Sequence, residues 1–121
     1  MDRIERRVEL PAPPGEVWPT LSQGSGLSDW FGAEVVLEAE PGQRATFRWP
    51  DGREREAVVE SVEVGRRLAF RWLPFERGPD GRRVLIGPGR VELELEPSGS
   101  GSTVSVTEWG LSRRPDQLLR A

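Results

Sequence analysis

Few residue types in this chain could do chemistry. Its 121 residues contain no His, Cys, Tyr, Lys or Asn, so Asp, Glu, Arg, Ser and Thr are the reactive types that remain. A serine nucleophile needs a neighbouring base, and the candidates Ser25, Ser28, Ser102 and Ser105 have no His or Lys to activate them. The usual zinc ligands are missing as well. The composition therefore excludes the common nucleophilic and zinc-dependent mechanisms.

Glu108 is the carboxylate whose placement the sequence defines best. It alternates with Val104 and Val106 at the end of a predicted strand, which directs it to the apolar side of that strand. A carboxylate in apolar surroundings has a raised pKa and could act as a general acid or base. The alternatives are an ion pair with Arg48 or Arg71, or exposure at the rim of the sheet.

Arginines supply the candidate anchors for an anionic group. The guanidinium groups of Arg48, Arg55 and Arg71 match the geometry of carboxylates and phosphates. Alternation along the strands turns Arg48 and Arg71 away from the aromatic side chains. We therefore expect these two arginines to form surface ion pairs.

Three acidic residues, Glu92, Glu94 and Glu96, form a row along one predicted strand. Carboxylates are the ligands that Ca²⁺ and Mg²⁺ prefer. Residues two apart on one strand are separated by about 7 Å, which is too far for them to share one ion without loop ligands. We therefore predict a solvated outer face paired with Arg71 or Arg90, no metal site and no cofactor.

Length and composition indicate a single globular domain spanning residues 1–121. The net charge is −3, and the 17 Arg are scattered among 20 acidic residues, which argues against a nucleic-acid surface. No apolar run approaches the roughly 20 residues of a membrane span, and the charged N-terminus lacks the apolar core of a signal peptide. We expect a cytoplasmic protein that binds neither nucleic acid nor a membrane.

Apolar periodicity and turn residues divide the chain into elements. A strand over residues 3–10 precedes two short helices near residues 16–21 and 24–32. Pro19 is tolerable only in a first helical turn, so we expect the first helix to be short or distorted. Residues 74–89 are predicted as one long loop, either a binding loop or a mobile β-excursion. The remaining strands are predicted as a sequential antiparallel meander over residues 33–39, 44–49, 54–64, 66–73, 90–96 and 103–109.

The pattern gathers large aromatic side chains on one inner surface. These side chains are Trp30, Phe47, Trp49, Phe70 and Trp72. Apolar surfaces with few polar groups are typical of ligand pockets. In a domain of this size the same rings could instead be the packed core.

Six segments follow one another along the chain in a recognisable order and spacing. They are Val17-Trp18, Leu27 to Gly32, Phe47 to Trp49 with the turn at Asp51-Gly52, Gly65 to Trp72, Val91 to Leu95 and Thr103 to Gly110. In this order and spacing they resemble the START-like SRPBCC helix-grip superfamily, in the branch of the bacterial homologues of the activator of heat-shock protein 90 ATPase. The similarity extends over about residues 4–111.

The resemblance implies an α+β helix-grip fold, with a curved antiparallel sheet of about seven strands and two short helices after the first strand. In many members the sheet and a long C-terminal helix enclose a pocket for apolar small molecules. After Leu111 only Ser112 to Ala121 remain here, which is enough for a helix of about two turns from Pro115. We therefore expect a truncated C-terminal helix. The concave face would then be open or covered by a second copy in a homodimer.

We predict that the chain binds a small hydrophobic or aromatic molecule in a cavity between the sheet and the helices, without catalysis. Two alternatives stay open. One is a protein-interaction module, chaperone-linked or self-associating, that uses the open concave face. The other is a cyclase- or hydrolase-like enzyme with Glu108 as the acid or base. The predicted ligand-binding residues are Trp30, Phe47, Trp49, Phe70, Trp72, Leu93, Val106 and Glu108.

Overall fold

A computed structural model describes residues 2–110, except for the side chains of Asp2, Ser25 and Trp30. The predicted C-terminal helix from Pro115 lies outside the described residues. No described helix is long and apolar enough to cross a membrane. The elements of the described chain are β1 Asp2–Leu10, α1 Pro14–Ser22, α2 Ser25–Phe31, β2 Glu34–Val36, β3 Arg44–Arg48, β4 Glu54–Glu63, β5 Arg67–Arg77, β6 Arg83–Leu85, β7 Gly89–Ser98 and β8 Gly101–Gly110.

The strands form one curved antiparallel sheet. Their order is β1-β8-β7-β5-β4-β3-β2, and β6 pairs with β5 beside this path. From β2 to β8 the order along the path follows the chain, because short turns join successive strands. β1 pairs instead with β8, from Asp2 opposite Gly110 to Leu10 opposite Ser102. The predicted α+β fold with about seven strands and two short helices is confirmed.

One side of the sheet is buried because strand side chains alternate between the two faces. In β7 the side chains of Val91, Leu93 and Leu95 are buried, and they share one core with Val17 of α1 and Phe31 of α2. We call this side of the sheet the inner face and the opposite side the outer face. The two helices pack on the inner face, so a ligand between sheet and helices would meet inner-face side chains.

Backbone chemistry explains how the helices end. Gly32 closes α2 with φ 65°, a left-handed conformation that glycine adopts readily, and its N–H donates to the Ser28 carbonyl at 3.0 Å. α1 is short, as predicted, with nine residues. The expectation that Pro19 is tolerable only in a first helical turn is wrong, because the helix begins at Pro14 and Pro19 lies in its interior.

Two irregularities interrupt the pairing of β4 with β5. In β4, Glu60 is an extra residue between Val59 and Ser61, which pair with the consecutive residues Phe70 and Ala69. In β5, residues 73–75 lie opposite a single residue of β4, between the pairs Ala57–Trp72 and Arg55–Glu76. Bulges of this kind bend a strand and redirect its side chains. Each of them shifts the register, so that it changes which residues of the two strands lie opposite each other.

Residues 74–89 form a hairpin where the sequence predicts a loop. β5 continues to Arg77, and β6 returns antiparallel with Phe75 opposite Leu85. The loop prediction is wrong for these residues, because the Pro and Gly residues that suggest a loop flank β6 and do not interrupt it. The observed hairpin corresponds to the β-excursion alternative.

Phe47 of β3 is fully buried, and its ring centroid lies 4.6 Å from that of Trp72. Replacing Phe47 with Ala would leave a cavity in this packing, so we expect a loss of about 3–5 kcal/mol in the free energy of unfolding. Urea unfolding followed by circular dichroism measures the change. The control is Val64→Ala at an 83 % exposed position, where we expect less than about 0.5 kcal/mol. Equal losses in the two variants would contradict this account.

Candidate functional site

The inner face is centred on a cluster of aromatic rings. Phe31 of α2 makes an edge-on contact with Phe47 at 5.3 Å and another with Trp72 at 6.1 Å. Phe70 and Trp72 meet edge-on at 5.4 Å. Edge-to-face arrangements of this kind are favourable for aromatic pairs. We call these four residues the ring cluster, and it joins helix α2 to strands β3 and β5.

Trp49 extends the ring cluster toward the end of α2. Its ring stacks on Phe47 at 6.2 Å, and its indole Nε1 donates to the carbonyl oxygen of Phe31 at 3.1 Å. A cavity of about 400 Å³, open to solvent, lies beside it, and its wall also includes Gly32, Ala33 and the charged residues Glu34 and Arg48. This volume is within the range of small-molecule sites. Trp49 therefore connects the ring cluster to a cavity between α2 and the edge of the sheet.

The structure brings most of the predicted site residues together. Trp30 is in α2, but its side chain lies outside the described part of the chain. Leu93 and Val106 face each other across β7 and β8. The predicted residues whose side chains are described share the inner face. Each of them is at most 4 % exposed: Phe47, Trp49, Phe70, Trp72, Leu93, Val106 and Glu108. Their ligand-binding role remains a prediction, since these side chains also pack against one another.

Glu108 lies on the inner face, as alternation predicts, and is fully buried. Its Oε2 accepts a hydrogen bond from Trp72 Nε1 at 3.2 Å. The proposed ion pairs of Glu108 with Arg48 or Arg71 are wrong. Those arginines lie on the outer face, where Arg48 pairs with Glu54 at 2.8 Å and Arg71 contacts Glu60 at 3.9 Å.

Arg55, the third candidate anchor, is buried beside Trp72. Its guanidinium carbon lies 4.6 Å from the centroid of the Trp72 ring, and its Nη2 donates to the carbonyl oxygen of Gly87 at 3.3 Å. A cation above an indole face is attracted by the quadrupole of the ring. Trp72 thus holds a guanidinium on its face and a carboxylate at its N–H.

A second buried arginine, Arg53, lies near Trp49. Its guanidinium carbon is 5.1 Å from the Trp49 ring centroid, and its Nη1 is 3.6 Å from Oε1 of buried Glu76. Its Nε donates to Asp51 Oδ2 at 2.7 Å. The backbone N–H of Arg53 donates to the Asp51 carboxylate at 3.0 Å and, together with the guanidinium, holds the pKa of Asp51 below its ordinary value of 3.8.

The sequence reasoning missed Arg53 and Glu76 as members of this polar group. The signal for Arg53 is present, because Arg53, Arg55 and Ala57 alternate in phase and all three are buried. Glu76 is in phase with buried Phe70 and Trp72, so alternation along β5 carried a signal for its inner position as well. We call Arg53, Arg55, Glu76 and Glu108 the inner charged cluster.

The acidic row on β7 faces outward, as predicted. Glu92 pairs with Arg90 at 3.1 Å, and Glu94 pairs with Arg67 at 3.1 Å. Arg67 thus takes a role that the sequence assigned to Arg71. Among the described residues, no group of three or more acidic, His or Cys residues could hold a metal ion.

The sequence profile described as "Activator of Hsp90 ATPase homolog 1-like protein" matches residues 11–120. The chain belongs to this family. The predicted branch of the helix-grip superfamily is thereby confirmed. No curated protein matches the chain significantly.

Solved structures share the fold of this Activator of Hsp90 ATPase homolog 1-like chain. DynU16, from the dynemicin biosynthetic locus, is 24 % identical with a TM-score of 0.73, over 95 % of this chain but only 39 % of DynU16. MLL2253 from Mesorhizobium loti is 21 % identical with a TM-score of 0.73, over 96 % of this chain and 80 % of MLL2253. The Aha1 dimer from Colwellia psychrerythraea is 18 % identical with a TM-score of 0.69, over 96 % of this chain and 81 % of that chain.

The hydrogen bond between Trp72 and Glu108 can be tested with a double-mutant cycle. The cycle combines Trp72→Phe, which removes the indole donor, with Glu108→Leu, which removes the acceptor. We expect the two sites to be coupled by about 1 kcal/mol or more in urea unfolding, since they share a buried hydrogen bond. The same cycle with Trp18→Phe of α1 in place of Trp72→Phe should be additive. Additivity in both cycles would contradict the assignment.

The lowered pKa of Asp51 predicts how the free energy of unfolding changes at acid pH. Because its pKa is lower in the folded protein, it stabilises the fold above its unfolded pKa, and this contribution is lost as the pH falls through the folded value. The difference in unfolding free energy between the wild type and Asp51→Asn should therefore shrink from about pH 5 to about pH 2. Urea unfolding across this range measures it. The control Ser61→Ala, at an exposed and non-titrating residue, should show no such trend. A difference that grows toward acid pH would be inconsistent with the proposed cause.

Proposed function

We propose that this chain binds a small hydrophobic or aromatic molecule between the helices and the sheet, at the cavity between α2 and the sheet edge, without catalysis. One observation carries the proposal: Trp49 belongs both to the buried aromatic surface and to the wall of a cavity of about 400 Å³. The ligand would meet Trp49 first. Phe47, Phe70 and Trp72 would form the deeper wall.

The driving force would be the burial of ligand carbon against aromatic rings. Such burial contributes about 25 cal/mol per Å² before the entropy lost on binding is subtracted. The cavity lies where α2 ends at Gly32 and the chain turns into β2. A small displacement of this helix end would widen access to the Trp49 ring. Binding by this route needs no reactive side chain, which agrees with the residue types in the chain.

The inner charged cluster supports a ligand that also carries a polar group. Buried ions contribute little net stability, since taking them out of water offsets their attraction. Stability alone therefore does not explain these buried charges beside an aromatic surface, and a binding role is consistent with them. In this proposal Glu108 and Arg55 offer an acceptor and a donor at the Trp72 end of the site, and the aromatic rings hold the apolar body.

Self-association is the second candidate function. The relative from Colwellia psychrerythraea was solved as a dimer, at 18 % identity. In this alternative a second copy of the chain covers the concave face. Sedimentation velocity separates the candidates, because a self-associating chain shows a mass that rises with protein concentration, and ligand binding by a monomer leaves the mass at one chain.

The neutral dye N-phenyl-1-naphthylamine tests the ligand proposal. We expect a saturable rise in dye fluorescence with the wild-type protein, because the dye loses contact with water at the aromatic surface. Trp49→Leu should weaken binding by about fivefold or more, since it removes the ring that borders the cavity. The matched control Trp18→Leu changes a partly buried Trp of α1 outside the site and should bind the dye as the wild type does.

Thermal unfolding of each variant checks that the fold is retained. The proposal fails if the dye shows no saturable signal with the wild type. It also fails if the folded Trp49→Leu variant binds the dye as tightly as the wild type.

A further inference from the structure

A second cavity lies on the opposite side of the sheet. Its volume is about 430 Å³, and Trp109, Pro88, Arg71 and Arg90 are in its wall. Trp109 follows inner-face Glu108, and Arg71 precedes inner-face Trp72, so alternation places both on the outer face. The sheet itself separates this cavity from the ring cluster.

Three of these residues form one row across the sheet. Trp109 of β8 pairs with Arg90 of β7, and Arg90 pairs with Arg71 of β5. Like charges directly opposite each other on neighbouring strands repel. Glu60, the extra residue of the β4 bulge, offsets this repulsion by accepting a hydrogen bond from Arg90 Nε at 2.7 Å.

The two arginines of the row are held unequally. Arg90 also bonds to Glu92 at 3.1 Å, so two carboxylates fix its guanidinium. Arg71 lies 3.9 Å from the second oxygen of Glu60, and half of its side chain is exposed, at 51 %. A contact of this length between exposed groups contributes little. The Arg71 guanidinium can therefore turn toward a ligand in the cavity at small cost.

Glu60 is also in the wall, and apart from the two arginines the other described side chains of the wall are apolar. Trp109 is partly buried, with the Arg90 guanidinium carbon 5.3 Å from its ring centroid, and Pro88 is exposed beside it. Gly89 and Gly110 are also in the wall. The cavity thus combines a flat aromatic surface with a guanidinium group at its edge.

We propose that this outer cavity binds a small organic carboxylate. Its ring or hydrocarbon body would pack against Trp109 and Pro88, and its carboxylate would accept hydrogen bonds from Arg71. The planar guanidinium matches a carboxylate in two parallel hydrogen bonds. The volume is adequate for a molecule of this class. Nothing in this arrangement requires the inner face to open.

The probe for this site is 2-naphthoate, titrated into ¹⁵N-labelled protein. Each of the five Trp residues gives its own indole N–H signal. The signal that is lost in Trp109→Phe belongs to Trp109, and the signal that is lost in Trp72→Phe belongs to Trp72. We expect a saturable shift of the Trp109 signal. Arg71→Gln should raise the dissociation constant by about fivefold or more, since a charge-assisted hydrogen bond is lost. The neutral analogue 2-naphthylmethanol should also bind the wild type about fivefold more weakly.

Arg44→Gln is the matched control, because Arg44 is an exposed arginine of the outer face with its own glutamate partner, Glu56, and is in the wall of neither cavity. It should bind 2-naphthoate as the wild type does. The proposal is overturned if millimolar 2-naphthoate leaves the Trp109 signal in place, or if Arg71→Gln binds as tightly as the wild type. It is also overturned if the Trp72 signal moves and the Trp109 signal does not, a result that would support the inner-face ligand.

Discussion

The position of the Trp72 indole is the constraint on which both the ring cluster and the buried charges of the inner face depend. Its ring lies 4.6 Å from Phe47 and 5.4 Å from Phe70, which joins β5 to the ring cluster. Its N–H donates to Glu108, and its face carries the guanidinium of Arg55. One side chain thus satisfies an apolar packing requirement and two charged neighbours. Indole is suited to this position because it combines a large apolar ring with a single hydrogen-bond donor.

Strand alternation gives this thin domain two surfaces of different chemistry. On the inner face rings meet rings, and charged groups are buried against indole surfaces. On the outer face carboxylates and guanidinium groups pair near water, as Glu94 and Arg67 do at 3.1 Å. Exposed pairs of this kind contribute little stability individually. The fold is therefore held mainly by the inner face, and the outer face is free to vary in its charge pattern.

The bulges of β4 and β5 lie beside two carboxylates that contact arginines, one on each face of the sheet. Glu60 is an extra residue in β4, and it reaches the outer face beside two arginines that would otherwise repel each other. The three-residue bulge in β5 precedes Glu76, which is buried next to Arg53. Both carboxylates keep the face that alternation along their own strand gives them. The bulges change the pairing register, and with it the residues of the neighbouring strand that lie opposite.

By itself the sequence determined the order of elements, the two faces of each long strand and the inner position of Glu108, because strand alternation is a local property with a period of two. It also supported the family through segments such as Leu27 to Gly32. Only the tertiary structure decided the contacts between distant strands. Glu108 accepts a hydrogen bond from Trp72 and does not pair with Arg48 or Arg71, and Arg67 pairs with the acidic row. The structure also shows a hairpin where the sequence suggested a loop. The physical reason is that partners come from strands far apart in the chain, and a bulge of one or three residues shifts their register without leaving a mark in local periodicity.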